Sequence, residues 1–163
     1  MTFTDFVDVI PGLYIGSHPE PDDPFELGAN VVVSLTSDTT ARSVPRNGLL
    51  IHWPIKDGPI PPVETLDAIA SFIVTRLEVG SVVYVHCRAG MNRSALVVAR
   101  VLMERGVSAR EAIDLVRARR QGSLSDEYAD WLLAHPIEAS PDAERLFVSD
   151  QLGSSTYPDG RLP

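Results

Sequence analysis

Cysteine is nearly missing from this sequence: 163 residues contain one, Cys87. No internal disulfide can form, which suits a reducing compartment and leaves a single free thiol that needs a purpose of its own. Lysine is as scarce, because thirteen of the fourteen cationic residues are arginine. Genome composition and a need for forked donors would both produce that bias, so it carries no functional weight. Long apolar runs are absent too. None approaches the roughly 18 residues needed to cross a bilayer, and the opening MTFTDFVDVIPG lacks the basic-then-apolar layout of a secretory leader. The expectation is a cytoplasmic protein without a membrane partner. A basic stripe is lacking as well: residues 1–28 hold six acids and no Lys or Arg, residues 136–163 five acids and two Arg, and the middle comes to +1 within a net charge of -8. That distribution argues against a general nucleic-acid binder and still permits a small positive well.

What is present reads as one globular core with a loose end. A chain of this length, 44% hydrophobic, buries most of its apolar surface in a single domain. Apolar runs at Phe6–Ile10, Leu13–Ile15, Val31–Leu35, Leu49–Trp53 and Val82–His86 are short, rich in β-branched residues and punctuated by Pro, Gly or Asp, the pattern of strands. Pro11-Gly12 reads as the turn between the first two. Helical spacing runs from Pro62 to Leu77, before Gly80. Ser94–Arg105 is apolar on nearly every side, which predicts a buried central helix ended by Gly106. Ser108 and Glu111 form a capping box for the next helix, and Ser125 caps a last one whose buried stripe is Tyr128, Trp131 and Leu132. Strands interleaved with helices predict an α/β domain over residues 1–135, with a mostly parallel central sheet flanked by helices on both faces. Residues 136–163 read as an acidic, mobile tail, with one or two helical turns possible at Asp142–Phe147.

The chemistry is concentrated where the fifth strand enters the buried helix: His86-Cys87-Arg88-Ala89-Gly90-Met91-Asn92-Arg93-Ser94. A loop closing onto a helix N-terminus aims backbone N–H groups inward, and with the helix dipole they make an anion site of phosphate size. The N–H groups of Arg88, Ala89, Gly90, Met91, Asn92 and Arg93 would line it, Gly90 supplying the bend. Arg93 can offer a planar fork to two phosphate oxygens, which a point-charge Lys cannot. A small thiol at the end of a core strand is by itself most often inert packing. At the bottom of a positive cradle, however, the thiolate is favoured, and the Cys87 pKa is expected in the range of roughly 3.5–7.5 found for activated cysteines. The Ser94 hydroxyl is placed to stabilise that thiolate, and His86 to hold the loop through hydrogen bonds.

The nine residues from His86 to Ser94 resemble the HCxxGxxR[ST] signature of the protein tyrosine phosphatase superfamily, in particular its small dual-specificity branch. The likeness extends over most of residues 7–135: Ile10–Gly16 is similar to the opening turn of those domains, Leu27–Leu35 to their first helix-to-strand step, and Val107–Arg119 to the helix after the signature. The resemblance implies a phosphocysteine mechanism without metal or other cofactor. It also implies a phosphorylated protein or other phosphomonoester as substrate partner, and a general-acid Asp on a separate upstream loop. Asp57 fits that acid, following a predicted strand in the stiff segment Trp53–Pro62, 30 residues before Cys87. Asp38, after the preceding strand, is the alternative acid. Other readings stay open at this point: an RNA 5′-triphosphatase, to which Met91 and Asn92-Arg93 are similar, a phosphoinositide phosphatase, or a non-catalytic phosphate-binding module. The oligomeric state is not encoded in any motif.

Overall fold

The short apolar runs assemble into one five-stranded sheet. The computed structural model describes residues 5–19, 23–38 and 44–138. Along the chain it runs β1 (Phe6–Ile10), β2 (Leu13–Gly16), α1 (Asp23–Glu26), β3 (Val31–Ser34), β4 (Leu49–His52), α2 (Val63–Glu78), β5 (Val83–His86), α3 (Arg93–Glu104), α4 (Ala109–Arg119) and α5 (Asp126–Ala134). The sheet order is β1-β2-β5-β3-β4. β1 and β2 form an antiparallel hairpin around Pro11-Gly12, where Gly12 takes a φ of 83°, and every other pairing is parallel.

β5 lies between β2 and β3, with all four of its residues buried. A strand covered on both faces has no polar side to show, which is why Val82–His86 reads as a run without alternation. One face, with Leu13, Ile15, Val31, Val33, Val83 and Val85, packs beneath α2, α3, α4 and α5. The opposite face carries Val32 and Tyr84, packed with Phe6, Tyr14 and Phe25 of α1. There Phe6 stacks on Tyr14 and Tyr84 with ring centres 4.3 and 4.8 Å away. The sheet is thus covered on both sides, by four long helices on one and by α1 with an aromatic cluster on the other.

α3 is the centre of the helical layer: eleven of its twelve residues are buried. Among them Arg100 keeps its charge satisfied, donating from Nε to Asp67 (2.7 Å) and from Nη1 to the His135 carbonyl (2.6 Å). That pins α3 to α2 and to the end of α5. The capping box at the start of α4 is present in both directions, and Ser125 accepts from the Tyr128 N–H at the start of α5.

The elements expected from sequence are all here, with ends shifted by a residue or so. α1 has no counterpart in the apolar periodicity, because a single turn is too short to establish a 3.6-residue period; only the family resemblance at Leu27–Leu35 implies a helix there. The expected tail from residue 139 on, including Asp142–Phe147, lies outside the described residues.

Candidate active site

Cys87 follows the last residue of β5, and Arg93 is the first residue of α3. The five residues between them therefore lie at the C-terminal edge of a central parallel strand, where open α/β sheets hold ligands. The loop's orientation follows from its carbonyls. Arg88 O accepts from the His18 N–H (3.0 Å), Met91 O from the Leu124 N–H (2.7 Å), and Ala89 O from Arg120 Nη2 (2.9 Å). Across a planar trans peptide the N–H points opposite to the C=O. Holding those three carbonyls outward turns the N–H groups of Ala89, Gly90 and Asn92 inward.

Gly90 makes this close packing feasible. Its φ is 67°, and a Cβ there would collide with the Gly16 backbone and lie 2.7 Å from Ser17 N. No side chain fits between the loop and the end of β2, and the left-handed conformation disfavours one independently. Asn92, at the N-cap of α3, makes no side-chain cap to its own helix. Its Oδ1 instead accepts from the Ser125 N–H (3.1 Å), which leaves the first-turn N–H groups of α3 available to an anion.

The thiol sits at the bottom of this ring, 3% exposed, with Sγ 3.3 Å from the Ser94 hydroxyl. Burial, the largest single influence, favours the neutral thiol. The hydroxyl and N–H of Ser94, the Gly90 N–H and the charge of Arg93 act against it and together hold the pKa below the ordinary cysteine value. His86 is buried, which pushes its pKa down to about 4 despite a backbone contact to Cys87. It is therefore neutral at pH 7, with Nδ1 3.4 Å from the Cys87 carbonyl, consistent with support of the loop rather than proton transfer.

Arg93 is 8% exposed. Its Nη1 donates to the Ile55 carbonyl (3.1 Å), while Nε lies 3.4 Å from Asp57 Oδ1. That second contact is an ion pair without hydrogen-bond geometry, so the buried Nε–H has no hydrogen-bond acceptor. A buried guanidinium donor beside a ring of inward N–H groups suits an oxyanion.

The segment after β4 brings Asp57 to this place. Trp53 N–H donates to Ser34 O (2.8 Å) and Ile55 N–H to Leu35 O (3.0 Å), continuing the β3–β4 pairing past the strand ends. Asp57 then stands beside Arg93 with its side chain 70% exposed. Asp38 lies on the loop after β3, where its backbone carbonyl accepts from Thr36 Oγ1 (2.9 Å) and its charge is felt at His86. Cys87, Ser94, Arg93 and Asp57 are thus brought together. Arg88 and Ala89 are exposed at the rim, Met91 is half-buried, and Gly90 is enclosed.

Sequence reasoning missed the residues that hold the loop from outside. Arg120, which also pairs with Asp5, closes α4, and Leu124 follows in the α4–α5 connection with a φ of 62°. Left-handed backbone is rare for a branched residue, and this one is clamped by burial and by its bond to Met91 O. The one available signal was Gly122, which marks a tight turn but not its partner.

Residues 13–137 match the family described as "Dual specificity phosphatase, catalytic domain". Protein tyrosine phosphatase type IVA 3 of Homo sapiens is 30% identical over 115 residues, which cover 68% of this chain and 66%, just under two thirds, of that protein. The solved structure of Tk-PTP in its active form superposes with a TM-score of 0.68 at 28% identity, covering 80% of this chain and 94% of that one. DUSP15 superposes with a TM-score of 0.71 at 20% identity, covering 94% and 100%, a likeness of fold.

Proposed function

The chain belongs to the family of dual specificity phosphatase catalytic domains, and from that premise we propose that it hydrolyses phosphotyrosine and phosphoserine or phosphothreonine in proteins through a phosphocysteine at Cys87. The observation that carries the reading is a buried thiol, its pKa lowered by Ser94, Gly90 and Arg93, beneath a loop whose carbonyls are held outward and beside a buried Arg93 donor without an acceptor.

In the proposed cycle the Cys87 thiolate attacks phosphorus in line and the P–O bond to the leaving group breaks. Arg93 and the N–H groups of the loop neutralise the equatorial oxygens, the larger part of the stabilisation in such sites. Asp57 gives its proton to the departing oxygen. Water then attacks phosphorus, its proton goes to Asp57, and the P–S bond breaks to return the thiolate, which the Ser94 hydroxyl stabilises.

Asp57 is the assignment most open to direct test. A general acid contributes about 10²–10⁴ in rate, and only where the leaving oxygen needs its proton. Asp57→Asn is expected to cost little with an activated aryl phosphate and progressively more as the leaving group becomes more basic. The slope of log rate against leaving-group pKa should steepen. Asp38→Asn should leave that slope unchanged; an exchange of behaviour between the two variants would move the acid to Asp38.

A further inference from the structure

The acid loop is held on both sides of Asp57, and one of the contacts comes from outside the nucleophile loop and α3. On one side of Asp57, Arg93 grips the Ile55 carbonyl. On the other, Tyr128 Oη, from the first turn of α5, donates to the Gly58 carbonyl across 3.2 Å. Gly58 immediately follows Asp57 and takes a φ of 101°, a conformation that glycine adopts without strain. Nothing within 4 Å would meet a Cβ at Gly58, so local crowding does not fix the turn. The phenol bond is the contact that fastens the Gly58 end of the acid's own turn to the helical layer.

The tyrosine is well built for such a role. Its residue is 2% exposed, with the ring in the main core among Leu124, Ala129 and Leu132, so the hydroxyl projects from a rigid base. Burial, then the negative charge of Asp57, raises the phenol pKa above its ordinary value. The group therefore remains a donor across the working pH range. For packing alone phenylalanine would serve; the hydroxyl is explained by its one acceptor on the acid loop.

We propose that Tyr128 is a positioning residue for the general acid, its hydroxyl fastening Gly58 so that the Asp57 carboxyl is presented at the leaving-group side of the phosphate cradle. This rests on Asp57 being the acid. Tyr128 acts through its bond to Gly58 O, by limiting the positions open to the Asp57–Gly58 turn.

The test is Tyr128→Phe, which keeps the buried ring and removes one oxygen. Rates are measured on aryl phosphates of increasing leaving-group pKa, in the wild-type and Asp57→Asn backgrounds, with melting temperature as the check on folding. One hydrogen bond of ordinary strength corresponds to a loss of about three- to tenfold in kcat. That loss is expected with the most basic leaving group, shrinking as the leaving group becomes more acidic, and vanishing in the Asp57→Asn background, where the acid is already gone. A loss equal across the series and persisting beside Asp57→Asn would mark Tyr128 as merely structural, and no loss at all would equally overturn the proposal. If Asp57→Asn is itself insensitive to leaving group, the acid assignment fails first and the latch fails with it.

Discussion

Cys87→Ser is expected to abolish turnover of para-nitrophenyl phosphate and of phosphopeptides while leaving tungstate or phosphate binding intact. The two properties separate because they rest on different atoms. The oxyanion is held by backbone N–H groups that the His18, Arg120 and Leu124 bonds orient from outside, and by Arg93; none of these involves sulfur. In the proposed cycle the bond that forms and breaks is made by the thiolate alone. A serine hydroxyl in the same place lacks the property the site confers on the thiol, a pKa that Ser94, Gly90 and Arg93 hold below the ordinary cysteine value against the cost of burial. Residual turnover should fall below about a thousandth of wild type, the order of loss expected when a nucleophile is removed. Calorimetry with tungstate supplies the second half of the result, and a variant that neither turns over nor binds would point to a collapsed loop.

The second large effect is expected from Arg93→Lys, a change that preserves charge. The guanidinium does two things at once: Nη1 holds the Ile55 carbonyl, and the buried Nε–H, 3.4 Å from Asp57 Oδ1, keeps a donor without a hydrogen-bond acceptor. A single ammonium cannot span both, since it presents a compact point charge in place of a planar fork. The substitution therefore removes a transition-state contact and releases one anchor of the acid loop. A loss of about 10²–10³ in kcat is expected from the missing oxyanion donor alone. Leaving-group sensitivity should increase as well, because Asp57 loses its tether at Ile55. Near-normal kcat in this variant would contradict the role given to Arg93.

The way the site is assembled explains which parts of it could be read in advance. β5, the loop and α3 are contiguous, so strand pattern, glycine, arginine and the apolar helix appear in order over residues 83–104, and Cys87, Arg93 and Ser94 follow from them. Asp57 needed the family resemblance, which implies an upstream acid, together with its position on the loop after β4. The contacts that orient the cradle are of another kind. His18, Arg120 and Leu124 each meet a backbone carbonyl of the loop, and a carbonyl acceptor is the same in every residue, so it leaves no signature in sequence. Tyr128 illustrates the same limit. Its spacing with Trp131 and Leu132 correctly marks a buried stripe, yet the acceptor of its hydroxyl lies 70 residues earlier in the chain. The sheet order is likewise set by which strands meet across the helical crossovers, and apolar periodicity carries no partner identity.

The central claim is covalent chemistry at one sulfur, and rapid acid quench tests it most directly. The protein is mixed with a phosphotyrosine peptide, stopped within the first turnover, digested and examined by mass spectrometry and phosphorus NMR. A phosphoryl group bonded to sulfur on the peptide that contains Cys87, appearing before free phosphate accumulates, is the expected result. Steady release of phosphate with no phosphoenzyme at any quench time, or with phosphorus on another residue, would contradict it.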